Sequence, residues 1–190
     1  MPPALFDPPV LHRFFFALKS DPVAARQTHA FAEAELGAKG LLEPDRLHVT
    51  LAITADMPTV PSGLIDALQR AGAAVRAEAF DVLLDHLSGG SGTVALRPAR
   101  VIRPLQALQA QIAAAMTQER IAVRAGWRFS PHLTLCYRKG AGPIDKAVTG
   151  FRWQATDFVL IHSFVGWHRH DILARWRLCG AEEDVQPRLL

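Results

Sequence analysis

The sequence predicts an α+β fold of two pseudo-duplicated lobes, with antiparallel sheets lining a central cleft and helices packed outside. Three observations lead there. Strand-like and helix-like segments run in the order strand, helix, strand, helix, hairpin, helix and then strands, which suits antiparallel sheets with helices on their outer faces. The tetrapeptide His-x-Thr-Leu occurs twice, beginning at His48 and at His132, 84 residues apart. Each copy lies on a predicted strand that follows a helix, so the two halves of the chain place it alike.

The elements follow from local pattern. Residues 1–10 are Pro-rich and read as a loose arm. Arg13–Leu18 (RFFFAL) reads as a strand. Pro22 opens a helix to Leu36, with Gly37 and Gly40 marking its end. Arg46–Thr54 alternates as a strand does, and Pro61 starts a helix to Arg76. Phe80–Leu87 and Thr93–Arg97 read as a hairpin around Ser88–Gly92. In Ile102–Thr117 the apolar Leu105, Leu108, Ile112, Ala115 and Met116 recur at helical spacing. Phe129–Arg138 reads as a strand, then a Gly-rich turn precedes strands near Gln154–Phe164 and Ile172–Leu178.

Composition narrows the class. The 190 residues are 49% hydrophobic, enough for one compact two-lobed domain spanning 1–190. No run of about 18 apolar residues is present, so no membrane span is expected. MPPALFDPPVLHRFFF lacks a basic start and a long apolar stretch, so no signal peptide is expected. Two cysteines, Cys136 and Cys179, make no disulfide framework and fit a reducing cytoplasm. A monomer is expected. Net charge is +3, but residues 97–152 hold ten Lys or Arg against Glu119 and Asp145. That bias suits an anionic partner such as RNA, and equally a solvated basic face.

The twin motif carries the chemistry. Alternate side chains of a strand share a face, so His48, Thr50 and Ala52 should point one way and Leu47, Val49, Leu51 and Ile53 the other. Likewise His132, Thr134, Cys136 and Arg138 should share a face opposite Leu133, Leu135 and Tyr137. The small Ala52 and Cys136 would leave room for a ligand. Imidazole exchanges protons near neutral pH and a Thr hydroxyl donates to phosphate oxygen. Two such strands facing each other supply a base, an acid and two donors, the set a phosphodiester needs for hydrolysis without a metal.

With RFFFAL, LHVTL, PHLTL and the closing HSFVGWHRHDILARWRL, the sequence resembles the two-histidine phosphoesterase superfamily, specifically the 2′-5′ RNA ligase or RNA 2′,3′-cyclic phosphodiesterase family. The resemblance implies a bilobal fold with the two histidines facing across a cleft, and opening of a 2′,3′-cyclic phosphate to a 2′-phosphate end. It makes His48 and His132 the acid–base pair and Thr50 and Thr134 the phosphate ligands, with no cofactor. A basic residue after the second motif is common among relatives, and the strand-face argument selects Arg138. An aromatic of the first strand, Phe15 among Phe14–Phe16, is a candidate for stacking on the base. The resemblance also allows 2′-5′ RNA ligation beside that hydrolysis; cleavage of 2′-5′ oligonucleotides or small cyclic nucleotides, and RNA binding without chemistry, are the rival readings.

His162, His168 and His170 cluster near Trp167 and Arg169. A metal site there is disfavoured, because Asp171 is the one carboxylate at suitable spacing. A loop at the cleft mouth, with Trp167 stacking on a base, is the better reading. Gly89–Gly92 is no phosphate loop, since no helix with Lys-Ser/Thr follows.

Overall fold

The computed structural model describes residues 10–90, 92–137 and 142–179. Eight strands form one sheet in the order β6-β3-β4-β5-β2-β1-β7-β8, every neighbouring pair antiparallel. The strands are β1 (Leu11–Leu18), β2 (Val49–Ile53), β3 (Phe80–Gly89), β4 (Thr93–Arg97), β5 (Leu133–Tyr137), β6 (Ile144–Ala155), β7 (Asp157–Val165) and β8 (Arg169–Arg177). Among the described residues three α-helices accompany them: α1 (Pro22–Leu36), α2 (Leu64–Ala73) and α3 (Arg103–Gln118).

The antiparallel sheets expected of the two lobes run together as one sheet, pinched in the middle. β2 and β5 meet at a single registered pair among the described residues, Val49 opposite Leu133. Beyond it the strands part, and each edge is capped from the other half of the chain. Leu42 N donates to Leu135 O, and Arg124 N donates to Ile53 O. The pinch divides the sheet into a half built from β1, β2, β7 and β8 and a half built from β3 to β6.

Local sequence explains the frame. Asp21 caps α1 by accepting from Val23 N and Ala24 N, and Pro22 follows at the first turn. On β1, Phe14, Phe16 and Leu18 enter the main core under the helices, while Phe15 and Ala17 face the other way with Val159 and Ile161 of β7. Gly72 in α2 has a packing reason: a Cβ there would meet the Trp176 ring of β8 at 2.4 Å. The helix gives up intrinsic stability to let the indole lie against its backbone.

Several boundaries differ from expectation. β6 is a separate strand of 12 residues, where the sequence suggests a turn running into Gln154–Phe164. It is an edge strand with most side chains exposed, so it lacks the apolar alternation that marks half-buried strands. α2 is shorter than the expected 61–76, and the arm at 1–9 lies outside the described residues. Among the described residues no helix is long and apolar enough to cross a membrane.

Candidate active site

The register that sets Val49 opposite Leu133 sets His48 level with Thr134 and Thr50 level with His132. All four line one cavity of about 270 Å³ at the pinch, with Arg13, Arg46 and His170. The cleft face expected for the two histidines and two threonines is the one they occupy.

Both imidazoles are wired alike. His48 Nδ1 is 2.6 Å from the Arg46 carbonyl and His132 Nδ1 is 2.7 Å from the Ser130 carbonyl, two residues upstream in each case. A carbonyl only accepts, so Nδ1 carries the proton in both rings and Nε2 is left for the cleft. The backbone thus fixes tautomer and orientation together, at an offset that needs no particular side chain at 46 or 130.

The alternation fails just after each threonine. Pairing of β1 with β2 steps from Ala17↔Thr50 to Phe16↔Ala52, and pairing of β4 with β5 steps from Ala95↔Thr134 to Val94↔Cys136. Leu51 and Leu135 are the extra residues of two matched β-bulges. Ala52 and Cys136 therefore turn into the core, each fully buried, contrary to the expectation that they face the ligand. Ile53 and Tyr137 line the cleft in their place. Strand-face counting cannot pass such a bulge, so it no longer carries the case for Arg138, which lies outside the described residues.

Phe15 lines the cleft but is 4% exposed. Its ring stacks on His48 at 4.8 Å between centroids, and His170 sits edge-on to both. Trp167 lies in the turn joining β7 to β8, 56% exposed. The neighbouring His168 has a left-handed backbone, φ 54, and its Nδ1 accepts from Arg46 Nη1 at 3.2 Å. His162 points to the other face of β7, where it stacks on Phe14 and shares a 2.9 Å hydrogen bond with His12. Among the described residues no three His, Cys, Asp or Glu side chains gather as a metal ligand set.

Burial, with Phe15 against the ring, pulls His48 from the ordinary 6.5 down to about 4. The Arg46 carbonyl opposes this, while positive charge at His170, Lys19 and His132 reinforces it. His132 is also lowered, by burial first and then by Arg97, with the Ser130 carbonyl opposing. His170 is driven to about 4 by burial and by Arg46 and Lys19. Sequence reasoning misses Arg46, and it weighs His170 only within the terminal histidine cluster and not as a neighbour of His48. The signal for Arg46 is its place two before His48, matching Ser130 before His132.

A family model described as the 2′-5′ RNA ligase superfamily matches residues 20–171. Among solved structures the chain is similar to E. coli LigT in apo form, at 23% identity, covering 90% of this chain and 99% of that one, with a TM-score of 0.74. E. coli LigT complexed with 3′-AMP matches at 23% identity over 88% and 98%, TM-score 0.73. TT0787 of Thermus thermophilus matches at 22% identity over 88% and 98%, TM-score 0.69. At such identities the likeness is one of fold. No curated protein matches in sequence.

Proposed function

Because the chain belongs to the 2′-5′ RNA ligase superfamily, we propose that its cleft hydrolyses the 2′,3′-cyclic phosphate of RNA or of a nucleotide to a 2′-phosphate, by acid–base catalysis between His48 and His132. The observation that carries this reading is the matched pair of backbone-held imidazoles, each with no Nε2 hydrogen bond among the described residues and level in register with a threonine of the other strand.

In the proposed reaction His48, neutral near pH 7, accepts a proton through Nε2 from a water. The water oxygen forms a bond to phosphorus while the bond from phosphorus to O3′ breaks. His132, in its imidazolium form with Nδ1–H held by the Ser130 carbonyl, donates its Nε2 proton to O3′, leaving a 2′-phosphate and a 3′-hydroxyl. Exchange with solvent returns both rings to their starting states. Thr50 and Thr134 donate to the non-bridging oxygens as charge builds there, and Arg46 adds positive charge on the His48 side. These groups supply base, acid and charge stabilisation, so the proposed reaction uses no metal. Of the two aromatic side chains considered for base stacking, Trp167 is exposed in the turn between Gly166 and His168, which line the cleft while Trp167 itself does not, and it is assigned that role; Phe15 is assigned the support of His48.

Turnover of a 2′,3′-cyclic mononucleotide, with the product position of the phosphate read by phosphorus NMR, tests the reading. Formation of the 2′-phosphate, unaffected by EDTA, is expected. A protein that binds RNA but leaves every cyclic phosphate intact, or one whose activity is abolished by EDTA and restored by a divalent metal, overturns it.

A further inference from the structure

A second cavity, of about 480 Å³, adjoins the cleft and shares Arg46, His168 and His170 with it as a common wall. We propose that this cavity is a subsite for the phosphate and nucleoside next to the reacting end, so that the substrate is an oligoribonucleotide and not a mononucleotide. The inference rests on the reading of the cleft given above.

Charge and shape both point to it. Lys19, Arg26 and Arg46 line the cavity against one carboxylate, Asp45, so its occupant is anionic. Its apolar surface includes Ile161 and Ile172, the latter 47% exposed. Cations beside an apolar wall suit a single strand, one for phosphate and the other for base or ribose. An inorganic anion would have no use for the apolar part.

The wall itself is poised for an acceptor. Ser20 Oγ and Arg46 Nε are buried with no hydrogen-bond partner among the described residues, an uncommon and costly condition for a polar atom. Closure on a phosphate would give both an acceptor. Arg46 stands between the two cavities, its carbonyl holding His48 and its guanidinium held by His168, whose left-handed backbone is rare outside glycine. A chain whose terminal cyclic phosphate lies between His48 and His132 can continue only toward its 5′ end. The shared wall offers that continuation on the His48 side.

The test compares kcat/KM for a 2′,3′-cyclic mononucleotide and for a trinucleotide ending in the same group, in the wild type, Arg26→Glu and Ile172→Glu. Arg26 and Ile172 are exposed, so both variants should fold. The wild type should favour the trinucleotide at least about tenfold, on the scale of one phosphate contact and one stacked base. Each variant should remove most of that preference and leave mononucleotide turnover within about twofold, and Arg26→Glu should flatten the salt dependence on the trinucleotide by a slope of roughly 0.7 or more. Equal kcat/KM for the two substrates in the wild type, or equal losses on both in the variants, overturns the subsite. If neither substrate turns over, the cleft reading falls instead. The subsite is then judged by fluorescence titration of a 5′-labelled trinucleotide bearing a 2′-phosphate, where equal affinity in wild type and Arg26→Glu overturns it.

Discussion

Around His48 the cleft is closed and cationic. Phe15 covers one side of the ring, His170 meets it edge-on, and Lys19 and Arg46 stand nearby. Around His132 it is open: Ser130 and Arg97 are the neighbours that act on the ring, and Tyr137, at the end of the same strand, is 65% exposed. Yet the two strands share their backbone wiring, their threonine and their bulge. Duplication supplies the geometry twice, and the surroundings then set the two copies apart, with His48 pulled down to about 4 under closer cover. In the proposed reaction such a difference lets one residue type take opposite tasks in one site.

The largest effect should come from removing either ring. His48→Ala and His132→Ala are each expected to lower turnover of a cyclic mononucleotide by at least about a hundredfold, with far-UV circular dichroism unchanged because both are half-buried cleft residues. Near-normal activity in either variant would undo the pairing.

The pH profile sharpens the comparison. A base must be unprotonated, so activity rises with pH through its pKa; an acid must be protonated, so activity falls through its own. kcat/KM should therefore rise near pH 4, set by His48, and fall below 6.5, set by the lowered His132. Bound phosphate favours an imidazolium, so the falling limb of kcat should lie at higher pH than that of kcat/KM. A rising limb that belongs to His132, identified by its loss in a His132 variant with residual activity, would exchange the roles.

Thr50→Val and Thr134→Val keep shape and remove one donor each. Losses of about tenfold or more in kcat are expected at both positions, and a loss at one alone would show that the phosphate sits nearer one strand. The smallest effect separates support from stacking. Phe15→Leu loosens the cover over His48, so the rising limb should move up from about pH 4 toward 6.5 with little change in KM. An increase in KM with no movement of that limb would give Phe15 the base-stacking role instead.

The cleft face is legible in the sequence because the period of two holds from His48 to Thr50 and from His132 to Thr134. It stops being legible one residue later. Leu51 and Leu135 look like ordinary strand leucines, and nothing in their type announces a bulge, so counting puts Ala52, Ile53, Cys136 and Tyr137 on the wrong faces. The helix Arg103–Gln118 can be read almost to the residue, because its buried stripe is set by core packing. β6 is hidden for the opposite reason: Ile144–Ala155 buries little and leaves a weak pattern. The second cavity cannot be read at all, since Lys19, Arg26, Arg46 and Ile172 come from separate segments that only the fold brings together.

The pinch at Val49 and Leu133 also has a consequence for how the chain reaches its native state. The half built from β3 to β6 is contiguous in sequence, whereas the other half joins the two ends of the chain, with Leu11 opposite Val165. Closing so long a loop costs entropy that local contacts do not. The contiguous half should therefore gain amide protection first in pulsed hydrogen exchange during refolding, and β1 with β7 later; simultaneous protection would contradict this order. Since the His48 strand belongs to the late half and the His132 strand to the early one, the cleft between them should come into being with the last assembly step, and partly folded chains should lack the reaction proposed for it.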